Sequence, residues 1–387
     1  MPIKHLQKAA TRIAKAARLQ ERIVLYGDSD LDGVTAVIIL QEAIKSIGGN
    51  VASCYFPNRE GEGYGLTQTA LQALKPLAPG VLILLDLGIS SFEEVAAARA
   101  MGFEVIIIDH HAIVRGKIPE ADIVVDPKQP GDTSAFKEYA ACGLSWLVSN
   151  ALLKDSMSKT LRQSLIELAA LGTIADMMVR AGDNELIIEE GTVRLEESWR
   201  PGIKAFFEAG IVEENAHKDR QIGYMISILN VRDVSEGLPA AFRLLTNPFM
   251  EEAKRMVLDL EEKQHVRQQR IQEIVQRLRD RILIKGVQNA LVEGDESFDS
   301  ALLGAASSIL SRELQKPVFL YKVIEDEAFG SVRAPLGMDT VKAMEGRADL
   351  FMTYGGHPQA SGFRMKEKNI PAFREHINEY FSYGNES

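Results

Sequence analysis

A chain of 387 residues, 46% hydrophobic and 25% charged, is long enough for two or three domains and ordinary in composition for a globular protein. A formal net charge of −10 argues against non-specific coating of duplex nucleic acid, though not against a nucleic-acid enzyme whose acids hold cations. Two cysteines, Cys54 and Cys142, leave no disulfide framework or cysteine zinc site, which suits a reducing cytoplasm; no apolar run approaches the roughly 20 residues of a membrane span.

The N-terminal stretch carries Lys4, Lys8, Arg12, Lys15 and Arg18 with no acid. Its composition is that of a transit peptide, but a strand starting near residue 22 makes a basic surface helix packed on the first domain the better reading. From 22 to about 190, strand and helix alternate as in a doubly wound sheet. Short Val/Ile/Leu runs at 23–26, 81–85 and 105–108 read as buried parallel strands, and 122–125 as a further one ended by Pro127. Helices are expected at 34–47, 67–74, 92–101, 143–153 and 159–174. The region 196–250 is irregular and helical, punctuated by Pro201-Gly202, Pro239 and Asn247-Pro248.

Residues 251–284, uninterrupted by Gly or Pro, then predict one helix about 50 Å long. Met256 and Leu260 begin its apolar stripe; Ile271, Ile274, Val275, Leu278 and Ile282 continue it, and the middle is polar. Apolar ends and a wet middle suit a strut between domains better than a coiled-coil arm. Beyond it a second α/β unit is expected, with strands at 289–292, 318–323 and 330–332 and helices at 303–314, 339–344 and 371–381. A Gly-rich loop with a histidine, 354–362, lies between the last two helices. The expected division is 1–195, 196–285 and 286–387: two α/β lobes joined by a helical connector.

Three of the apolar runs end in acids. The first leads into Gly27-Asp28-Ser29-Asp30-Leu31-Asp32-Gly33, the second into Asp86, the third into Asp109-His110-His111. Open α/β sheets bind ligands at the carboxyl ends of their strands. Carboxylates gathered there repel one another and desolvate badly unless divalent cations join them, so a metal site, dinuclear in form, is expected. Extended backbone would send Asp28, Asp30 and Asp32 to one side, with Gly33 allowing a tight turn. An EF-hand is rejected because the twelfth position from Asp28 is Ile39. Asp86 lies between two clusters, as a bridging carboxylate would. Imidazole with carboxylate suits manganese, iron or zinc more than calcium. His110 is assigned to metal, His111 to the phosphate or leaving group, and Asp109 to orienting a histidine. Asp176, late in an apolar helix, reads equally as a polar helix end or as a ligand.

These pieces, in this order, resemble the DHH phosphoesterase superfamily, and most closely the RecJ-type single-strand exonucleases. Supporting segments are Asn58-Arg59-Glu60-Gly61-Glu62-Gly63-Tyr64-Gly65-Leu66, Val125-Asp126-Pro127, Ala170 to Asp176, Arg200-Pro201-Gly202-Ile203-Lys204 and Gly355-Gly356-His357-Pro358. The resemblance implies a DHH domain, a connecting helix and a smaller DHH-associated domain that holds nucleic acid. It also implies two Mn2+ (or Mg2+) ions. One would be held by Asp32, Asp86, His110 and Asp176, the other by Asp28, Asp30 and the bridging Asp86, so that water is activated for in-line attack on a phosphodiester.

Arg333 and the Gly355-Gly356-His357 string are phosphate-binding candidates. Arg59 either reaches substrate or pairs with Glu60 or Glu62. No arginine follows Ala306-Ser307, where bacterial RecJ proteins usually carry one, so that phosphate contact is in doubt. Larger RecJ proteins add an OB-fold after the C-terminal lobe; a short form should bind long single strands more weakly. The leading expectation is a 5′–3′ exonuclease on single-stranded DNA serving DNA repair and recombination in the cytoplasm, with no membrane contact and with replication or repair proteins as candidate partners. The alternatives are a phosphodiesterase of short oligonucleotides or cyclic dinucleotides, and a non-catalytic replisome scaffold.

Overall fold

The computed structural model describes residues 2–59, 61–113, 116–212 and 217–382. It divides into two compact units, Met1–Glu262 and Lys263–Ser387. The first runs α1 (Leu6–Arg18), β1 (Ile23–Gly27), α2 (Leu31–Ser46), β2 (Val51–Tyr55), α3 (Gln68–Leu74), β3 (Gly80–Leu85), α4 (Phe92–Ala100), β4 (Phe103–Ile108) and β5 (Ile123–Val125). Five helices follow: α5 (Ala141–Leu153), α6 (Lys159–Ala175), α7 (Asp183–Thr192), α8 (Pro201–Glu208) and α9 (Lys218–Leu229). A short hairpin, β6 (Val234–Ser235) and β7 (Leu238–Pro239), leads to α10 (Ala240–Leu245). The long helix α11 (Met250–Lys285) then carries the chain from one unit into the other.

The first sheet is parallel throughout, in the order β2-β1-β3-β4-β5. Its apolar strands alternate between two cores, as a period of two requires. Ile23, Leu25, Ile83, Leu85, Ile106 and Ile108 face the layer of α2, α5 and α6. Val24, Tyr26, Leu82, Leu84, Val105 and Ile107 face that of α3 and α4. Chain order reverses between β1 and β3, and that reversal is where such sheets open a ligand crevice. Helix α1 lays Ala9, Ala10, Ile13, Ala16 and Ala17 on the core and keeps its basic side outward. The described residues between 196 and 249 pack in this unit too. Arg200 clamps them, donating to Glu42 Oε1 and Oε2 (both 2.9 Å), Ser164 Oγ (2.6 Å) and the Leu245 carbonyl (2.7 Å).

The second unit holds β8 (Leu291–Gly294), α12 (Ser300–Leu314), β9 (Val318–Ile324), β10 (Glu327–Arg333), α13 (Thr340–Glu345), β11 (Phe351–His357), β12 (Ala360–Lys366) and α14 (Ile370–Tyr380). Its sheet runs β11-β12-β10-β9-β8, with only the β8–β9 pair parallel. Helices cover both faces. Ile271, Ile274, Val275 and Leu278 of α11 join α12 on one, and α13 and α14 lie on the other. The chain is therefore α/β, with a doubly wound parallel sheet in its N-terminal part. Among the described residues no helix is long and apolar enough to cross a membrane.

Four local expectations are corrected. Strand β2 was not foreseen, because Val-Ala-Ser-Cys-Tyr is a half-buried edge strand without a continuous apolar run. Asp28, Asp30 and Asp32 do not share an extended segment: Asp30 caps α2, and Asp32 sits in its first turn. Gly33 serves close approach rather than a turn, since a Cβ there would stand 2.4 Å from the Asp28 carbonyl oxygen. The Gly-rich stretch around His357 is a hairpin, not a loop, with Gly355 opposite Gly362 and Gly356 opposite Ser361. Strand pairing uses backbone groups, which glycine supplies as well as any residue.

Candidate metal centre

Adjacent strand ends bring the acids together. The Asp28 N–H donates to the Leu85 carbonyl (3.2 Å), the Asp86 N–H to Ile108 (3.1 Å) and the Asp109 N–H to Val125 (3.1 Å). The three aspartates thus stand side by side just past β1, β3 and β4. Asp86 has φ 64°, a left-handed conformation uncommon outside glycine and a mark of functional sites. Asp176 arrives from α6 as its C-cap. Gly172 lets that helix close in, since a Cβ there would lie 2.4 Å from Thr35 Oγ1 and 2.6 Å from Cys142 Sγ.

His110 Nε2 lies 3.2 Å from Asp86 Oδ1, 3.6 Å from Asp176 Oδ2 and 3.8 Å from Asp32 Oδ2. Ligand atoms of Asp32, His110 and Asp176 lie within 4.8 Å of one another, as do those of Asp28, Asp30 and Asp86. All six residues expected to hold cations are thus gathered in two neighbouring groups, with Asp86 against both. Burial first, then repulsion from Asp32, Asp30, Asp28 and Asp109, drives the Asp86 carboxyl well above the usual range. Burial raises Asp32, against the pull of His110 and Cys142. Burial, with Asp32 and Asp30, carries Asp176 up to about 7. Burial also holds His110 below its ordinary value, so its imidazole is neutral and free to ligate. Neutral imidazole among crowded carboxylates fits a divalent cation, whose charge would relieve the crowding.

The surrounding protein orients several of these groups. Asp32 accepts from the Ala141 and Cys142 N–H groups, both at 2.8 Å. Asp109, fully buried, accepts from Ile89 N–H (3.0 Å), His110 N–H (2.7 Å) and the His111 ring Nδ1 (2.7 Å). Asp109 therefore orients His111, not His110. Burial opposes the charge on both partners, but their mutual hydrogen bond and attraction win: Asp109 falls to about 2 and His111 rises to about 9.

Arg59 stands on the loop after β2. Its Nε donates to Asp28 Oδ1 (2.8 Å) and its Nη2 to Asp30 Oδ2 (2.9 Å), with a further pairing to Asp28 Oδ2. Glu62, one of its expected partners, instead accepts from Tyr55, Thr67 and the Asn58 N–H; Glu60, the other, lies outside the described residues. Tyr64 was not foreseen. Its ring is half exposed, its hydroxyl is 3.3 Å from His111 Nε2, and the Arg59 guanidinium lies 5.6 Å from its centroid. An aromatic between two glycines was the available signal. Asp126 was quoted only as part of a motif. It is fully buried after β5, with Oδ2 unpartnered and its carboxyl pushed up to about 7 by burial.

The phosphate-binding candidates of the second unit sit on its sheet. Arg333 closes β10 opposite Ala360, which pairs with His357 on the far side. The Arg333 guanidinium rests against Gly304 of α12, 3.3 Å from where a Cβ would stand, and donates to the Val332 carbonyl; burial lowers its pKa. No carboxylate pairs with it among the described residues. Gly356 and His357 are exposed, and Gly355 is half buried.

Residues 22–173 match the family model described as DHH family, N-terminal domain, and residues 280–383 match the DHHA1 domain. Over 381 residues the chain is 29% identical to the single-stranded-DNA-specific exonuclease RecJ of Bacillus subtilis (strain 168), covering 97% of this chain and 48% of that one. Over 384 residues it is 29% identical to the RecJ of Thermus thermophilus, covering 98% and 55%. The chain thus spans about half the length of the curated relatives it matches. A crystal structure of exonuclease RecJ bound to manganese superposes with a TM-score of 0.81 at 27% identity, over 99% of this chain and 95% of that one.

Proposed function

The chain belongs to the DHH family, RecJ-like across both domains, and from that premise we propose that it is a metal-dependent exonuclease hydrolysing single-stranded DNA in the 5′–3′ direction. The observation that carries this reading is the neighbouring pair of ligand groups, Asp32–His110–Asp176 and Asp28–Asp30–Asp86, with Asp86 Oδ1 3.2 Å from His110 Nε2 and the Asp109–His111 dyad beside them. Asp32, Asp86, His110 and Asp176 would hold one Mn2+ or Mg2+ ion, and Asp28, Asp30 and Asp86 the other. Bound there, the ions would lower the pKa of an attacking water and neutralise charge on the phosphoryl oxygens.

The remaining work falls to side chains. Held as a cation by Asp109, His111 donates a charge-assisted hydrogen bond to a phosphoryl oxygen. Neutral His110 offers Nε2 as a ligand without having to lose a proton. Arg59 in the first unit, and Arg333 with the Gly355-Gly356-His357 strand in the second, hold phosphates of the strand. No covalent nucleophile is required. Such an enzyme would serve DNA repair and recombination in the cytoplasm.

The test is Mn2+-dependent degradation of end-labelled single-stranded DNA and RNA, from dimers to about 30-mers, with Asp86→Ala as control. Stepwise release of mononucleotides from the 5′ end of long DNA, lost in the control, is expected. Hydrolysis confined to dimers and trimers would move the protein to the short-oligonucleotide phosphodiesterases. No hydrolysis with any divalent cation would refute the enzyme reading. Asp86→Ala activity within about tenfold of wild type would remove the bridging role.

A further inference from the structure

The two carboxylate groups differ in one respect. Among the described residues no lysine or arginine pairs with Asp32, Asp86 or Asp176, whereas Arg59 occupies Asp28 and Asp30. Asp28 Oδ1 accepts from the Ser29 N–H (2.6 Å) and Arg59 Nε, and its Oδ2 pairs with Arg59 Nη2. Asp30 Oδ1 accepts from the Gly33 N–H (3.2 Å), and its Oδ2 takes Arg59. Every oxygen of these two carboxylates therefore already has a protein donor. A cation ligated by Asp28, Asp30 and Asp86 competes with the guanidinium, which reaches three of the four oxygens of Asp28 and Asp30.

We propose that Arg59 is an exchangeable counter-ion of the Asp28–Asp30–Asp86 group, so that the second cation enters only as Arg59 transfers to a substrate phosphate. The proposal rests on the metal-dependent phosphodiesterase reading above. Charge accounts for the exchange. Three carboxylates at the edge of the core hold a cation of one kind or the other, and a guanidinium and a divalent cation on the same oxygens repel each other. The guanidinium fork that fits a carboxylate fits a phosphate equally well. Arg59 can move without disturbing the core, because it belongs to the loop between β2 and α3 and its side chain is 33% exposed. Substrate phosphate and second cation then bind cooperatively, and each raises the affinity of the other by one common factor. The full set of ions assembles when a strand is present.

Mn2+ titration by calorimetry and by electron paramagnetic resonance, with thymidine 5′-monophosphate as the phosphate probe, tests this. Wild type is expected to bind Mn2+ in two steps, the second weaker and tightened by the nucleotide. Arg59→Ala should tighten the second step without nucleotide by on the order of tenfold to a hundredfold, the worth of a charge-assisted hydrogen-bond pair, and abolish its response to nucleotide. Arg59→Lys, which keeps the charge but loses the fork, should fall between. An Arg59→Ala protein whose second step is no tighter than wild type overturns the proposal, as does equal nucleotide sensitivity in both proteins. Failure of either protein to bind Mn2+ overturns the metal reading beneath it.

Discussion

Replacing Asp109 with asparagine removes one charge from a fully buried position while keeping its volume, and its consequences can be worked through in advance. His111 at about 9 lies above its ordinary value of about 6.5: burial opposes its charge, but Asp109, with Asp176 and Asp28 adding lesser attraction, outweighs it. That difference corresponds to about 3.4 kcal/mol at 1.36 kcal/mol per pH unit. A third of the His111 side chain is exposed, so solvent screening reduces the interaction to about 2 kcal/mol. Asp109 moves less far, to about 2, because complete burial opposes its charge; the attraction is the same one and is counted once. A raised histidine stabilises fully below about pH 6.5, and its contribution is lost as pH rises through about 9. The asparagine oxygen can still accept from His110 and His111, but its NH2 then faces the Ile89 N–H, at about 1–3 kcal/mol. Asp109→Asn should therefore lose about 3–5 kcal/mol at pH 7, and less at pH 10, where the wild-type pair is itself lost. Urea unfolding between pH 6 and 10 measures this directly. In turnover, the alkaline limb of kcat should move down by about two pH units, because the freed imidazole returns toward or below its ordinary value. Bound cations lower both limbs together and leave the difference. An unmoved alkaline limb, or a stability loss equal at pH 7 and pH 10, would show that Asp109 does not hold His111 charged.

Mn2+ affinity should fall as pH drops below about 7, because Asp176 titrates near there and both Asp86 and Asp32 are raised, so that binding releases protons. Calorimetry in buffers of different ionisation heat counts those protons, and an affinity flat from pH 6 to 8 would contradict the crowded-carboxylate account. His357→Ala should weaken oligonucleotide binding several-fold while leaving Mn2+ affinity unchanged. An unaltered KM on every oligonucleotide would remove the hairpin of β11 and β12 from substrate binding.

The acids were readable because each follows a short apolar run, and a parallel sheet places such run ends side by side. What holds those acids was not readable, because backbone amides carry no side-chain signature. The helix expected from residue 143 begins at Ala141, and its two earlier residues, Ala141 and Cys142, supply both donors to Asp32. An error of two residues in a helix boundary thus hid the whole support of one ligand. For Arg59 the sequence offers substrate or its neighbours Glu60 and Glu62, yet it crosses to Asp28 and Asp30, a pairing set up by the β1–β2 register. The glycines of Gly355-Gly356 suggested a loop because nothing local distinguishes a turn from a strand that pairs through backbone alone.

The support is unequally distributed, and that inequality bears on how the site works. Asp28 is held by Ser29 and Arg59, Asp32 by two amides of α5, and Asp109 by Ile89 and His111. Asp86 and Asp176 receive no such hydrogen bond among the described residues, and both titrate far above the ordinary carboxylate range. Asp32 and Asp109 are fixed by contacts that folding itself makes, so their positions do not depend on a cation. The unsupported pair is different: under the proposed metal reading a cation there would displace the protons that their raised carboxyls favour, and Asp86, 3.2 Å from His110 and grouped with Asp28 and Asp30, would take part in both groups. A carboxyl raised in the folded state also weakens the fold as pH rises through its titration, so the metal-free protein becomes less stable between about pH 4 and 7. A cation removes that cost most where the fold carries it most. On the proposed reading, cation binding would therefore be coupled to the deprotonation of two side chains rather than to the folding of the sheet that presents them.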